Sequence, residues 1–533
     1  MKLLVFAVTW LRRLPVAFTT LFVVCMLLYL VLVSAAVKAG GVQTISDLAR
    51  TLLGIPDIAT VSALDGAARV FWEGIIIVFL LLVGVLASYN TSAWTYRHFR
   101  RRPRPIIGAP TLPAPGRGKR LDRFERIGII LAGGGAKGAY QAGALKAIHE
   151  FLEANGALSK VKMIAGTSIG SWNAMFWLAD LVKSPNPDSL SVHEKWWRSI
   201  NLSRIMEFTP FWPLSTNHFL QATPWRETFR QIFTGQTDVR DHLARLFSAD
   251  NSDPPIHFYF TRSNVERGVL EFATNWPGLA HLTRPQLRTP DPDDREAVVP
   301  PGLYEVIGGE VNDAMARTER AVFASMDLPP LFPYIPIKLD MTEWFEDGGV
   351  VDNLPVWFGA QIENCDLLFV LPLNASFAAP VNHSSVVQRL TRVMDVRQGV
   401  LERNALKQTY LYNELAALRN RVEELGGESY VTRVSTPAMA APPADAGENA
   451  TLEARAVRRR HHPISVFSIC PAPPLGIGTA EFWNSKEAGL GFELMYAATK
   501  YELAENFETD TDPNWLKMTL VSPQGERSHT DEF

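Results

Sequence analysis

Two short apolar runs, each ending at glycine and each followed by a helical pattern, constrain this chain more than any other feature. Arg126-Ile127-Gly128-Ile129-Ile130-Leu131-Ala132 is a continuous apolar run closed by a turn signal, so it reads as a buried strand. Gly133 to Gly138 is a loop. Ala139 to Ala154 carries apolar residues at helical spacing, with Gly156 near its end. Val161–Ala165 is a second strand and Ile169–Val182 a second helix. Apolar strands alternating with helices imply a mainly parallel sheet covered by helices on both faces. Ile256–Phe260, Val269–Ala273 and Leu367–Leu371 are further strand candidates, and Val400–Leu425 and Phe482–Phe507 read as helices.

The N-terminal hundred residues have a different texture. No charge occurs from Leu14 to Val37 or from Gly74 to Tyr96. The first run is 24 residues, enough at 1.5 Å per residue to cross a hydrocarbon core of about 30 Å. A cleaved signal peptide is the alternative for the first run, with Ser34-Ala35-Ala36 as its cleavage site, and a buried helix is the alternative for the second. Arg12 and Arg13 precede the first run, and five arginines follow the second between Arg97 and Arg104. The positive-inside rule then puts both ends of a hairpin, and everything beyond it, on the cytosolic side. Residues 97–126 hold ten Lys or Arg against two acids, with five prolines. That segment is an extended basic linker suited to anionic lipid headgroups, or a topology signal alone.

The whole chain of 533 residues balances 52 basic against 55 acidic side chains, for a net charge of −3, which argues against nucleic acid as a partner. Its three cysteines are far apart and suggest neither a disulfide framework nor a metal cluster. Nine Trp or Phe fall between Trp196 and Phe233. They read either as ordinary helical core or as an apolar cap over an acyl-chain pocket. Residues 184–250 and 276–302 look like insertions, and 434–463 is low-complexity.

Three motifs carry chemistry. Gly166-Thr167-Ser168-Ile169-Gly170 fits G-x-S-x-G between a strand and a helix, where a tight turn lifts a serine hydroxyl clear of the backbone. Gly133-Gly134-Gly135-Ala136-Lys137-Gly138 fits a dinucleotide fingerprint, but no acidic residue ends the second strand. A phosphate loop would end Gly-Lys-Ser/Thr, whereas this one continues Lys137-Gly138-Ala139. With a serine on the next turn, the loop reads best as an oxyanion hole built from side-chain-free amides. Glu346-Asp347-Gly348-Gly349 places a carboxylate on a tight turn, and a serine nucleophile needs a base. A catalytic histidine after Asp347 has only His383, His461, His462 and His529 to draw on, none in a convincing context.

Together these segments resemble the patatin-like phospholipases. The resemblance rests on Gly133–Gly143, Gly166–Gly170, Ala324-Ser325-Met326-Asp327-Leu328-Pro329-Pro330-Leu331-Phe332-Pro333, and Asp347-Gly348-Gly349 followed by Asp352-Asn353-Leu354-Pro355, in that order over about residues 126–375. It implies a three-layer α/β/α fold and a Ser-Asp dyad hydrolysing acyl esters of phospholipids or other membrane lipids, without metal or cofactor. Ser168 is then the nucleophile and Asp347 the base. Gly133, Gly134 and Gly135 form the oxyanion hole, with Lys137, Gly138, Gly166, Gly170, Gly348 and Gly349 as supporting motif residues. The expected organisation is a hairpin at 1–96, a linker at 97–125, a catalytic domain at 126–400 and a helical C-terminal region at 401–533. The expected location is the bacterial inner membrane, catalytic domain in the cytosol. The alternative is a silent membrane scaffold on the same fold.

Overall fold

The computed structural model describes residues 121–530, except 187–188, 210–217, 219, 248–253, 282–302, 329–331, 337–342, 375–385, 425–462, 474, 476, 480 and 509–516. The hairpin, the basic linker up to residue 120, His383 and the low-complexity segment therefore lie outside the described residues. Among the described residues no helix is long and apolar enough to cross a membrane.

The chain begins with β1 (Ile127–Leu131), α1 (Gly138–Ala154), β2 (Val161–Gly166) and α2 (Ile169–Leu178). Next come β3 (His257–Asn264), β4 (Val269–Thr274), β5 (Tyr304–Val306), α3 (Val311–Ser325), β6 (Trp344–Asp347) and β7 (Leu367–Leu371). Last are α4 (Val386–Glu424), β8 (Ser465–Pro471), α5 (Ser485–Glu508), β9 (Met518–Val521) and β10 (Arg527–Thr530). These strands form one sheet in the order β10-β9-β8-β7-β1-β2-β3-β4-β5, with β6 added beside β3. All pairs from β9 through β3 along this order are parallel, and β9–β10 and β3–β4 are antiparallel.

Strand residues alternate between two cores. Ile127, Ile129 and Leu131 of β1 join one cluster with α1, α2, α3 and α5, while Ile130 and Ala132 join another with Leu406 of α4. A strand buried on both faces must be apolar throughout, which is why β1, β2 and β7 show no polar alternation. The result is the expected three-layer α/β/α arrangement with a mainly parallel sheet.

The structure corrects several expectations. The region from 401 does not stand apart as a helical segment: β8 pairs in parallel with β7, and α5 packs along α1. The short run Val466–Cys470 is a central strand that follows low-complexity sequence, so it lacked the flanking pattern that would have marked it. Helix α2 stops at Leu178, short of Val182, and Asp180 two residues on takes a left-handed φ of 56°. Of the aromatic-rich stretch, Trp196, Trp197, Phe229 and Phe233 are core, three of them with centroids 5.0–6.2 Å from that of Trp172 in α2. The supposed insertion at 276 likewise starts inside the core, with Trp276 and Leu279 buried.

Candidate active site

The site assembles at the carboxyl ends of β1, β2 and β3. Leu131 pairs with Gly166, so the glycine loop and the serine turn leave the sheet side by side. Gln141 of α1 reaches back and donates to Ala132 O and Leu371 O, both 3.1 Å, tying the ends of β1 and β7 beneath the loop. Strand β3 pairs with β2 only as far as Phe260, opposite Gly166. Its next residues, Arg262 to Asn264, pair instead with β6, with Asp347 opposite Arg262. One strand that outruns its neighbour thus brings the serine turn and the acid turn together. Two hydroxyls of β3 pin them: Thr261 to Thr167 at 2.7 Å, and Ser263 donating to Asp347 O at 2.9 Å.

Ser168 has φ 54° and ψ −124°, a strained conformation for a residue with a Cβ, at the N-terminus of α2. Its N–H donates to the Ser325 hydroxyl (2.8 Å), which also meets the Ser171 hydroxyl (2.9 Å), so the end of α3 clamps the turn. The Ser168 hydroxyl interacts with the Asp347 carboxylate, whose Oδ1 also accepts from Gly349 N–H at 2.7 Å. Burial raises the Asp347 pKa to about 7, against the lowering effect of those two hydrogen bonds. A base that titrates near neutrality and touches a serine hydroxyl can take its proton.

The glycine loop lies against this pair. Gly135 has φ +57°, and a Cβ there would sit 2.2 Å from Thr479 O, so only glycine fits. Among the described residues the N–H groups of Gly134 and Gly135 have no acceptor, whereas Ala136 N–H donates to Thr479 O at 2.8 Å. The Asn353 amide wedges between the two turns, its Oδ1 placed 2.5 Å from where a Cβ on either Gly133 or Gly349 would be. Gly138 and Gly170 start the two flanking helices, and Gly348 packs on Thr261. The fold therefore brings together every residue named from the sequence: Ser168, Asp347, Gly133–Gly135 and the supporting glycines. Lys137 is the exception in kind. Its ammonium faces the back of the loop and donates to Asn374 Oδ1 (2.6 Å), with Asp395 at 2.8 Å.

A cavity of about 330 Å³ opens beside the turns, walled by Trp225, Phe323, Met326, Phe332 and Ile335, with Arg226 and Asp327 on its lining. Asp327, within the Ala324–Pro333 motif, is 3% exposed, and neither carboxyl oxygen has a hydrogen-bond partner among the described residues. Burial, and then the nearby Asp347 charge, raise its pKa to about 9, so it is a neutral acid at pH 7. Its backbone carbonyl accepts from Asp347 N–H at 3.0 Å, which seats the cavity next to the acid turn. Asn374 and Glu402 went unremarked in the sequence. Neither carries a motif signal, because the buried face of α4 is itself polar: Gln398, Glu402, Thr409 and Asn413 point inward.

A parallel three-layer sheet that presents a strained serine after one strand, a carboxylate beside it and a glycine loop before the preceding helix is an arrangement suited to nucleophilic acyl transfer. Residues 129–358 match the family model of the patatin-like phospholipases. Among solved structures, that of VipD from Legionella pneumophila is similar over 72% of this chain and 67% of that one, at 11% identity and a TM-score of 0.28. No curated protein matches the chain.

Proposed function

We propose that this protein is a serine hydrolase that cleaves acyl esters of membrane lipids through a Ser168–Asp347 dyad. The observation that carries the reading is the strained Ser168 turn at the start of α2, set by strand β3 beside the turn that holds the buried Asp347 carboxylate. Asp347 takes the proton as Ser168 attacks the ester carbonyl, and the Gly134 and Gly135 N–H groups receive the oxyanion, aided by the positive ends of α1 and α2. The proton passes to the departing alcohol. Water, deprotonated by the same carboxylate, then releases the acid and restores Ser168. The mostly apolar cavity beside Asp327 supports an acyl chain as the group bound there.

Two uncharged N-terminal runs and the basic residues after them support a tethered enzyme, held at an inner membrane with its catalytic part in the cytosol and its linker on anionic headgroups. The test of the chemistry is labelling by a fluorophosphonate probe, with turnover of a p-nitrophenyl ester. The parent should label and turn over, while Ser168→Ala and Asp347→Asn should each lose about a thousandfold or more in kcat/KM. Labelling that survives Ser168→Ala, or undiminished turnover by Asp347→Asn, would sink the dyad.

A further inference from the structure

Behind the glycine loop lies a polar network centred on Glu402 of α4, which is completely buried. One carboxylate receives four hydrogen bonds. Oε1 accepts from Asn353 Nδ2 (2.6 Å) and Asn374 Nδ2 (2.9 Å), and Oε2 accepts from the N–H groups of Leu373 (3.1 Å) and Asn374 (2.7 Å). The two asparagine amides also donate to a common acceptor, the Gly133 carbonyl, at 3.1 and 3.3 Å. Lys137, on Asn374 Oδ1 and Asp395, supplies the positive charge facing Glu402 across the asparagine.

We infer that Glu402 is a positioning residue of the oxyanion hole, acting through Asn353 and Asn374 on the Gly133–Gly134 peptide; this rests on Ser168 being the nucleophile. A trans peptide is planar, with its C=O and N–H on opposite sides. Holding Gly133 O on the network side therefore turns Gly134 N–H away from the network, and Gly133 itself packs on the serine turn, with Ser168 Cβ 2.9 Å from where a Cβ on Gly133 would be. A glycine peptide has no side chain to hold that orientation, and an amide that rotates away no longer stabilises the oxyanion. The carboxylate has a reason to be there beyond filling space. Asn353 Nδ2 divides its donors between Gly133 O and Glu402, Asn374 Nδ2 shares its own among Glu402, Gly133 O and Gln398 Oε1 (3.3 Å), and only an acceptor-only group with two oxygens satisfies the four donors that converge on Glu402.

The experiment uses the full-length protein in detergent and compares two ligands of one chain length. An alkyl trifluoromethyl ketone adds the Ser168 oxygen to its carbonyl carbon, passes the serine proton to Asp347 and leaves an oxyanion in the hole. The matching ether has no carbonyl and reads ground-state binding alone. For Glu402→Gln, kcat/KM on a p-nitrophenyl ester and affinity for the ketone should fall together by about 10- to 100-fold, while ether affinity stays within about twofold. Asn374→Ala, which loosens the same carbonyl from its other side, should show the same split. Unchanged ketone affinity in both variants, or ketone and ether affinities falling in step, would overturn the role. Ser168→Ala is the control for the underlying reading. If it still hydrolyses ester and binds the ketone as the parent does, the nucleophile is wrong, a result that no Glu402 outcome can mimic.

Discussion

Asp347 is buried where its charge is disfavoured, and that has consequences for both rate and stability. Its pKa rises from 3.8 to about 7 on folding. The ionised form is the base, so kcat/KM on a water-soluble ester should climb tenfold per pH unit below about 7 and level above it, as read from a pH–rate profile. For stability the sign is the reverse. The folded state binds more protons than the unfolded state between about pH 4 and 7, so this residue's contribution is present below pH 4 and is lost as pH rises through 7. The ionised site costs on the order of 4 kcal/mol before its hydrogen bonds to a substitute amide are considered. Asp347→Asn should accordingly be inactive yet more stable than the parent at pH 8, by chemical denaturation, with little difference near pH 4. Asp327 extends the argument. With a pKa raised to about 9 and no hydrogen-bond partner among the described residues, it stays protonated at pH 8 while the unfolded chain is ionised. Asp327→Asn should raise the unfolding midpoint at pH 8 and leave it unchanged near pH 4. A stabilisation equal at both pH values would mean that the gain has nothing to do with protonation.

At the scale of elements, the end of α3 does as much for the serine as the turn itself. Ser325, fully buried, accepts the Ser168 N–H and meets Ser171, whose hydroxyl donates to Gly166 O at 2.8 Å. Ser325→Ala leaves the Ser168 N–H buried without an acceptor, which should cost about 1–3 kcal/mol of stability. It should also lower kcat/KM about tenfold, because the strained φ at Ser168 loses its clamp. Stability falling without any change in turnover would show that the turn holds its shape alone. Helix α4 gives the opposite lesson about reading elements from pattern. Val393, Val396, Val400, Leu411, Leu415 and Leu418 recur at helical spacing and are exposed, whereas the inward face carries Gln398, Glu402, Thr409 and Asn413 beside the apolar Leu406 and Ala416. Periodicity identifies the helix and points its wrong side to the core, because the inward side meets a polar loop whose donors need acceptors.

At the scale of the molecule, the proposed catalytic residues fall within the span matched by the family model, but part of their support does not. Asn374, Asp395, Glu402 and Thr479 all lie beyond residue 358 and close on the glycine loop from behind. At the other end, the proposed tether makes a separable prediction. Deleting residues 1–96 should leave turnover of a short, water-soluble ester within about twofold, since all site residues lie beyond 126. Turnover on anionic vesicles should fall, because tethering no longer keeps the local concentration high. The residual vesicle activity should fall further at high salt, where the basic linker is screened. Equal loss on both substrates would assign the hairpin to folding of the catalytic part.

The amino-acid sequence by itself determined the strands and turns that carry the chemistry. β1, β2 and β7 are short apolar runs because both faces are buried, and Ser168, Asp347 and the glycine loop sit on turns that only small residues and local caps allow. Those are local constraints, legible over five to ten residues. What tertiary structure decided is everything set by contacts between distant segments. β8 became a central strand because β7 offered a parallel edge. Asp327 became a neutral acid because burial, and then the neighbouring Asp347, disfavour its charge. Glu402 reached Gly133 through two asparagines because α4 packs behind the loop. None of these leaves a periodic trace, since burial and hydrogen-bond partners arise only once the sheet has closed over them.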